Sequence, residues 1–240
     1  MATETSITRH IILLCSILSA TSIMAAPITL DDVSATRVED TNRDGRGDRI
    51  IPSYLFLGNA KTPMDFHPIF VFQMKGAGSG AAISEANFAV TQTGNFGPAK
   101  FPEVDLIALR VSDHHAVLLS DYHSTGTPIM KGFAGEKGAG VELKTMDKAG
   151  SNAMTRFLQR HWKEGAYLFL TLRGGSGIQL PYDNTIANGY GFGNVDEIWN
   201  EHSTDARISI TTNPQHKPKK NATTHVLLKA AGMTIHSKRQ

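Results

Sequence analysis

Short apolar runs recur along the chain, and glycine, proline and asparagine stand between them. Such punctuation describes many brief strands joined by turns rather than a bundle of helices. The runs predict strands at residues 54–57, 69–74, 86–91, 104–111, 141–145, 167–172 and 207–211. Across 104–111 the alternation is not cleanly two-fold, because Ile107 and Leu109 interrupt the set Val104, Leu106 and Ala108. A strand buried on both faces at its middle reads this way. One segment departs from the pattern: Met154, Phe157, Leu158 and Trp162 recur at helical spacing. Ser151 is the expected N-cap and Gly165 the expected stop. A helix that short needs a core to lie on, so its apolar stripe is expected to plug one end of the strands. The architecture this implies is all-β, a two-sheet β-sandwich with one short helix.

The two ends of the chain change the picture. Arg9 and His10, the apolar run 11–18, and the small residues Ala20, Ser22, Ala25 and Ala26 before Pro27 describe a signal peptide over 1–26. The apolar run is far shorter than the roughly 20 residues that span a bilayer, so export with no membrane insertion after signal removal is expected. Cys15 is the sole cysteine and lies in this leader. Outside the cell, stability must then come from a core or bound metal and not from disulfides. With no composition shift inside 27–212, that stretch is expected to be one sandwich domain. Residues 213–240 form a basic tail carrying Lys217, Lys219, Lys220, Lys238 and Arg239. The formal net charge of the whole chain is only +2, which gives no ground for a nucleic-acid partner.

The sharpest chemical signal runs from Asp40 to Asp48, read Asp-Thr-Asn-Arg-Asp-Gly-Arg-Gly-Asp. Asp40, Asn42, Asp44 and Asp48 put oxygens at offsets that can wrap one calcium ion, with the carbonyl of Arg46 as a backbone ligand and Gly45 as the turn. Ile51 stands where an EF-hand has its bidentate glutamate, so another carboxylate or water must complete the shell. The alternative is an Asx-rich turn without metal. A second cluster, Asp113, His114, His115, Asp121 and His123, gathers imidazoles and carboxylates in a polar turn. Adjacent histidines on extended chain point to opposite faces, which argues for surface histidines over ligands. An enzymatic alternative keeps Tyr122, His123 and an arginine such as Arg110 as base, acid and charge neutraliser of a polysaccharide lyase or hydrolase. Phosphate loop, dinucleotide fingerprint and serine elbow are all missing from the sequence.

For a sugar ligand, residues 180–199 are the richest segment, since aromatic rings stack on pyranose faces while Asp and Asn bond hydroxyls. The expected ligand-binding residues are Tyr182, Asp183, Asn184, Tyr190 and Trp199.

Set in order, several phrases resemble a known arrangement. His67-Pro-Ile-Phe-Val-Phe-Gln-Met resembles an Arg-x-x-Leu-x-Phe-Asp-Leu strand, and Ala82-Ile-Ser-Glu-Ala-Asn-Phe-Ala-Val resembles Ile-x-Ser-Ala-x-Leu-x-Leu. Phe157-Leu-Gln-Arg-His-Trp-Lys-Glu-Gly, Tyr167-Leu-Phe-Leu-Thr-Leu-Arg and Asp205-Ala-Arg-Ile-Ser-Ile-Thr follow as the helix and closing strands. The chain over roughly 30–212 is similar to the DNRLRE-type, carbohydrate-binding-module-like jelly rolls of secreted bacterial proteins. That resemblance implies a jelly-roll-like fold, no catalysis, a structural calcium ion, and a polysaccharide or cell-surface glycan as partner. Its competitors are the polysaccharide-acting enzyme and a surface adhesion or matrix component.

Overall fold

The computed structural model describes residues 26–52, 55–98, 101, 103–135, 141–175, 180–182, 184–193 and 205–213. Nearly all of the leader, the basic tail, Asp183 and Trp199 lie outside these residues. The strands are β1 (Ile28–Asp40), β2 (Arg49–Ile51), β3 (Leu55–Asn59), β4 (Asp65–Gln73), β5 (Ile83–Phe96), β6 (Glu103–Ser112), β7 (Thr127–Gly135), β8 (Glu142–Thr145), β9 (Tyr167–Gly174), β10 (Asn188–Phe192) and β11 (Arg207–Thr212). The helix α1 spans Lys148–His161. The fold is the expected all-β, sandwich-like one with a single α-helix among the described residues.

One layer runs β2–β1–β4–β9–β6–β7 and the other β11–β5–β10–β3, with β8 on the opposite edge of β5. Every pairing is antiparallel. β1 serves both layers: Ile28 to Asp31 pair with β11, and from Asp32 onward the strand pairs with β4. A register shift between Asp32 and Ser34 turns it from one layer to the other, as a bulge does. The layers meet again where Gly58 and Asn59 of β3 pair with Phe66 and Asp65 of β4.

Alternation along the strands sorts the side chains. Phe70 and Phe72 of β4, and Leu168, Leu170 and Leu172 of β9, point inward onto Phe88 and Val90 of β5, Leu57 of β3 and Tyr190 of β10. The outer face of the first layer is apolar too, and Val38, Ile69, Val71 and Phe169 form a second cluster there. The connection between β6 and β7 folds over that cluster and buries Tyr122 in it. Two covered faces explain why β4 and β9 read as nearly continuous apolar runs.

α1 covers a bare sheet edge as well as a core. The Asp147 carboxylate caps it by accepting from Gly150 N at 2.7 Å, so the helix starts before the Ser151 that its apolar spacing suggested. Ser151 instead donates to Ala86 O at 2.9 Å, and Thr155 Oγ1 accepts from Ala86 N at 2.9 Å. Gln159 Nε2 donates to Ile83 O at 2.8 Å. These residues, four apart, lie in a row and satisfy the edge of β5 up to the point where β8 takes over at Ala89. Strands β1, β7 and β10 were not legible as apolar runs, because polar or glycine positions interrupt each of them.

Candidate functional site

The outer face of the first layer ends in a cavity of about 470 Å³, within the usual size range for small-ligand sites. β4 supplies Asp65 and His67, β9 supplies Arg173, the β6–β7 connection supplies Tyr122 and His123, and the loop after β1 supplies Arg43 and Asp44. His67 shares the outward-facing positions of β4 with Ile69 and Val71, so the alternation that builds the apolar cluster also delivers an imidazole to its end. The Tyr122 ring stacks on His67 at 4.1 Å between centroids and 12° between planes.

Hydrogen bonds define the chemical state of these groups. His67 Nδ1 lies 3.1 Å from Tyr122 O, and a carbonyl only accepts, so Nδ1 carries the proton and Nε2 keeps a lone pair in the neutral ring. Burial, reinforced by the Arg173 charge, pushes the His67 pKa down to about 3, so the ring is neutral at ordinary pH. The Tyr122 phenol is pushed up by burial and then by the carboxylates of Asp65 and Asp40. Arg173 Nη2 donates to Asp121 O at 2.9 Å and to Tyr122 O at 2.8 Å. Its Nε is buried with no acceptor, and among the described residues it makes no ion pair with a carboxylate. Burial pulls its pKa below the usual guanidinium value, the mark of a cation held where charge is costly. Arg43, by contrast, is committed: Nε donates to Asp65 Oδ2 at 3.0 Å and Nη2 to Leu180 O at 2.7 Å.

The wall carrying Tyr122 is clamped in place. Arg110 forks onto Asp121 through Nε and Nη2, both at 2.9 Å, and its guanidinium carbon sits 3.6 Å from the centre of the Phe169 ring. Arg110 therefore stands behind the wall and not in the cavity, and Arg173 is the arginine that accompanies Tyr122 and His123 there. His114 and His115 are exposed, Asp113 pairs with Lys163, and Asp121 is taken by Arg110, so the histidine-rich turn converges on no common point.

In the Asp40–Asp48 loop the fit to calcium turns on which oxygens stay available. Asp40 accepts from Asp44 N and Gly45 N at 3.1 and 2.8 Å, Asn42 Oδ1 from Asp44 N at 3.0 Å, and Asp44 Oδ1 from Arg46 N at 2.9 Å. Asp48 Oδ2 accepts from both the N–H and the hydroxyl of Thr41, whose bonds hold its carboxyl below the usual range. Among the described residues no group of three or more His, Cys, Asp or Glu side chains could hold a metal ion. These bonds close an Asx-rich turn, and each ionised carboxylate keeps further lone pairs that a cation could meet.

Of the expected sugar-binding residues, Tyr182 is 40 % exposed and donates to Lys61 O at 2.6 Å, and Asn184 is exposed. Tyr190 is fully buried and donates to Phe101 O at 2.5 Å, so its ring is core and offers a ligand no face. Asp183 and Trp199 lie outside the described residues. His67, Asp65, Arg43 and Arg173 were not singled out from the sequence. The signal available was a histidine and an arginine at the ends of strands that are otherwise apolar on both faces. No protein-family model matches the sequence. No curated protein matches it either.

Proposed function

We propose that the protein is an exported, non-catalytic β-sandwich that binds an acidic carbohydrate in the cavity beside Arg173. The observation that carries this reading is Arg173 itself, a part-buried guanidinium on a cavity wall whose Nε has no acceptor and which makes no direct ion pair among the described residues, Asp121 acting on it only from beyond contact distance. A ligand carboxylate would relieve the desolvation that lowers its pKa. Around it, the neutral His67 Nε2 can accept from a sugar hydroxyl and the neutral Tyr122 phenol can donate to one. Export rests on the leader at 1–26, and the saccharide class on the resemblance to glycan-binding jelly rolls.

Binding is placed ahead of catalysis on chemical grounds. A general base or acid works best with a pKa near the operating pH. Burial moves Tyr122 up and His67 down to about 3, away from neutrality on both sides. The test is a glycan array followed by titration calorimetry on the acidic hits. Acidic saccharides should bind and their neutral counterparts should not, and Arg173→Met should weaken binding by at least about tenfold. Arg160→Ala, on the exposed face of α1, serves as the control. Release of unsaturated sugar, or affinity indifferent to Arg173→Met, would overturn the reading.

A further inference from the structure

We infer that Arg43 is a specificity-determining residue of the cavity: its guanidinium cancels the Asp65 charge, and that cancellation is what lets the cavity take an anionic ligand. This rests on the acidic-carbohydrate reading above. Among the described residues that line the cavity, two guanidiniums, Arg43 and Arg173, stand against two carboxylates, Asp44 and Asp65. Without Arg43, two carboxylates would face one guanidinium, and a ligand carboxylate would be repelled.

The backbone singles Arg43 out. Among the described residues it is the one non-glycine with a positive φ, +61°. That left-handed conformation is costly for an L side chain and persists where its surroundings impose it. Here the turn does so. Asp44 N donates to Asp40 Oδ1 and Asn42 Oδ1, and Gly45 N donates to Asp40 Oδ2, so the chain on both sides of Arg43 is bonded in place. Glycine or asparagine would suit the backbone better, so an arginine at this position serves its side chain.

That side chain reaches β4 and the segment 180–182. Nε donates to Asp65 Oδ2 at 3.0 Å and Nη2 donates to Leu180 O at 2.7 Å, a carbonyl that Asn59 Nδ2 also holds at 3.1 Å. The side chains of Arg43 and Asp65 are 19 % and 9 % exposed, so solvent screens their charges only weakly. Asp65 shares the outward positions of β4 with His67, which places its charge on the wall that a ligand would meet. Tyr122 registers the same balance: burial raises its phenol, the Asp65 and Asp40 charges raise it further, and the Arg173 and Arg43 charges oppose them. The two arginines thus divide the work. Arg43 is spent on a carboxylate of the protein, and Arg173 is left for one of the ligand.

Calorimetry with the trisaccharides of galacturonate, mannuronate and guluronate, each beside its neutral methyl ester, tests the assignment. The wild-type protein should favour acid over ester. Arg43→Met should weaken the acids by at least about tenfold and leave the esters unchanged. Arg43→Gly should do the same with a relaxed backbone, which keeps the test decisive if Arg43→Met does not fold. Joining Asp65→Asn to either variant should return the preference for acid, because the charge to be cancelled is gone; a residue that merely props the cavity would not be rescued this way. Equal loss of acid and ester in the single variants, or no recovery in the double ones, would overturn the role of Arg43 and leave the acidic-carbohydrate reading standing. Failure of the wild-type protein to favour any of the acids would overturn both.

Discussion

His67 stands where an aliphatic residue would continue the outer face of β4, and that exchange has a consequence in acid. Its pKa is about 3 in the folded protein against roughly 6.5 when unfolded, so between those values the unfolded chain binds the additional proton. Stability is therefore full above about pH 6.5 and falls as pH drops toward 3, at a limiting slope of about 1.4 kcal/mol per pH unit. His67→Phe should flatten that part of a denaturation-versus-pH curve; an unchanged slope would show that His67 is free to protonate when folded. Two glycines set an equally local constraint. Gly58 and Gly189 face each other across β3 and β10 with φ of +144° and +136°, and a Cβ on either would lie 2.0 Å from a carbonyl oxygen of the partner strand. Gly189→Ala is expected to cost at least about 3 kcal/mol in urea unfolding. In the Asp40 loop, melting temperature with and without millimolar calcium decides between the calcium site and the metal-free Asx-rich turn. A rise on adding calcium that Asp44→Ala abolishes would place the ion there.

At the scale of the element, the α1–β5 contact shows what periodicity can and cannot say. Met154, Phe157 and Leu158 announced the helix, because a 3.6-residue period is a local property of the chain. Ser151 was legible only as a possible cap. Its role in bonding β5 depends on a strand more than sixty residues away, and no local pattern encodes that partner. Thr155→Val should leave the buried Ala86 N–H without an acceptor and cost about 1–3 kcal/mol of stability. Amide exchange at Ala86 should quicken at the same time. If neither changes, the edge is not sealed by the helix.

The whole molecule places its site through one long connection laid across an apolar face. Residues between β6 and β7 read from the sequence as a polar turn, since Asp113, His114 and His115 stand between two apolar runs, and the structure does leave these three exposed. The structure packs the second half of the same connection onto Val38 and Phe169 and clamps it with Arg110, Arg173 and His67. Arg110→Met should strand the buried Asp121 carboxylate, costing roughly 3–5 kcal/mol and loosening the wall that holds Tyr122. Carbohydrate affinity should fall with it although Arg110 lines no part of the cavity.

By itself the amino-acid order determined the strand-rich class, the two-layer packing and the lone helix. Each of these follows from alternation or helical spacing, both of which act over a few residues. Tertiary structure alone decided that His67, Tyr122 and Arg173 share a cavity and that Tyr190 is core. Those outcomes depend on which strands become neighbours and which faces are covered, and the strands concerned are joined by contacts between residues far apart in the chain.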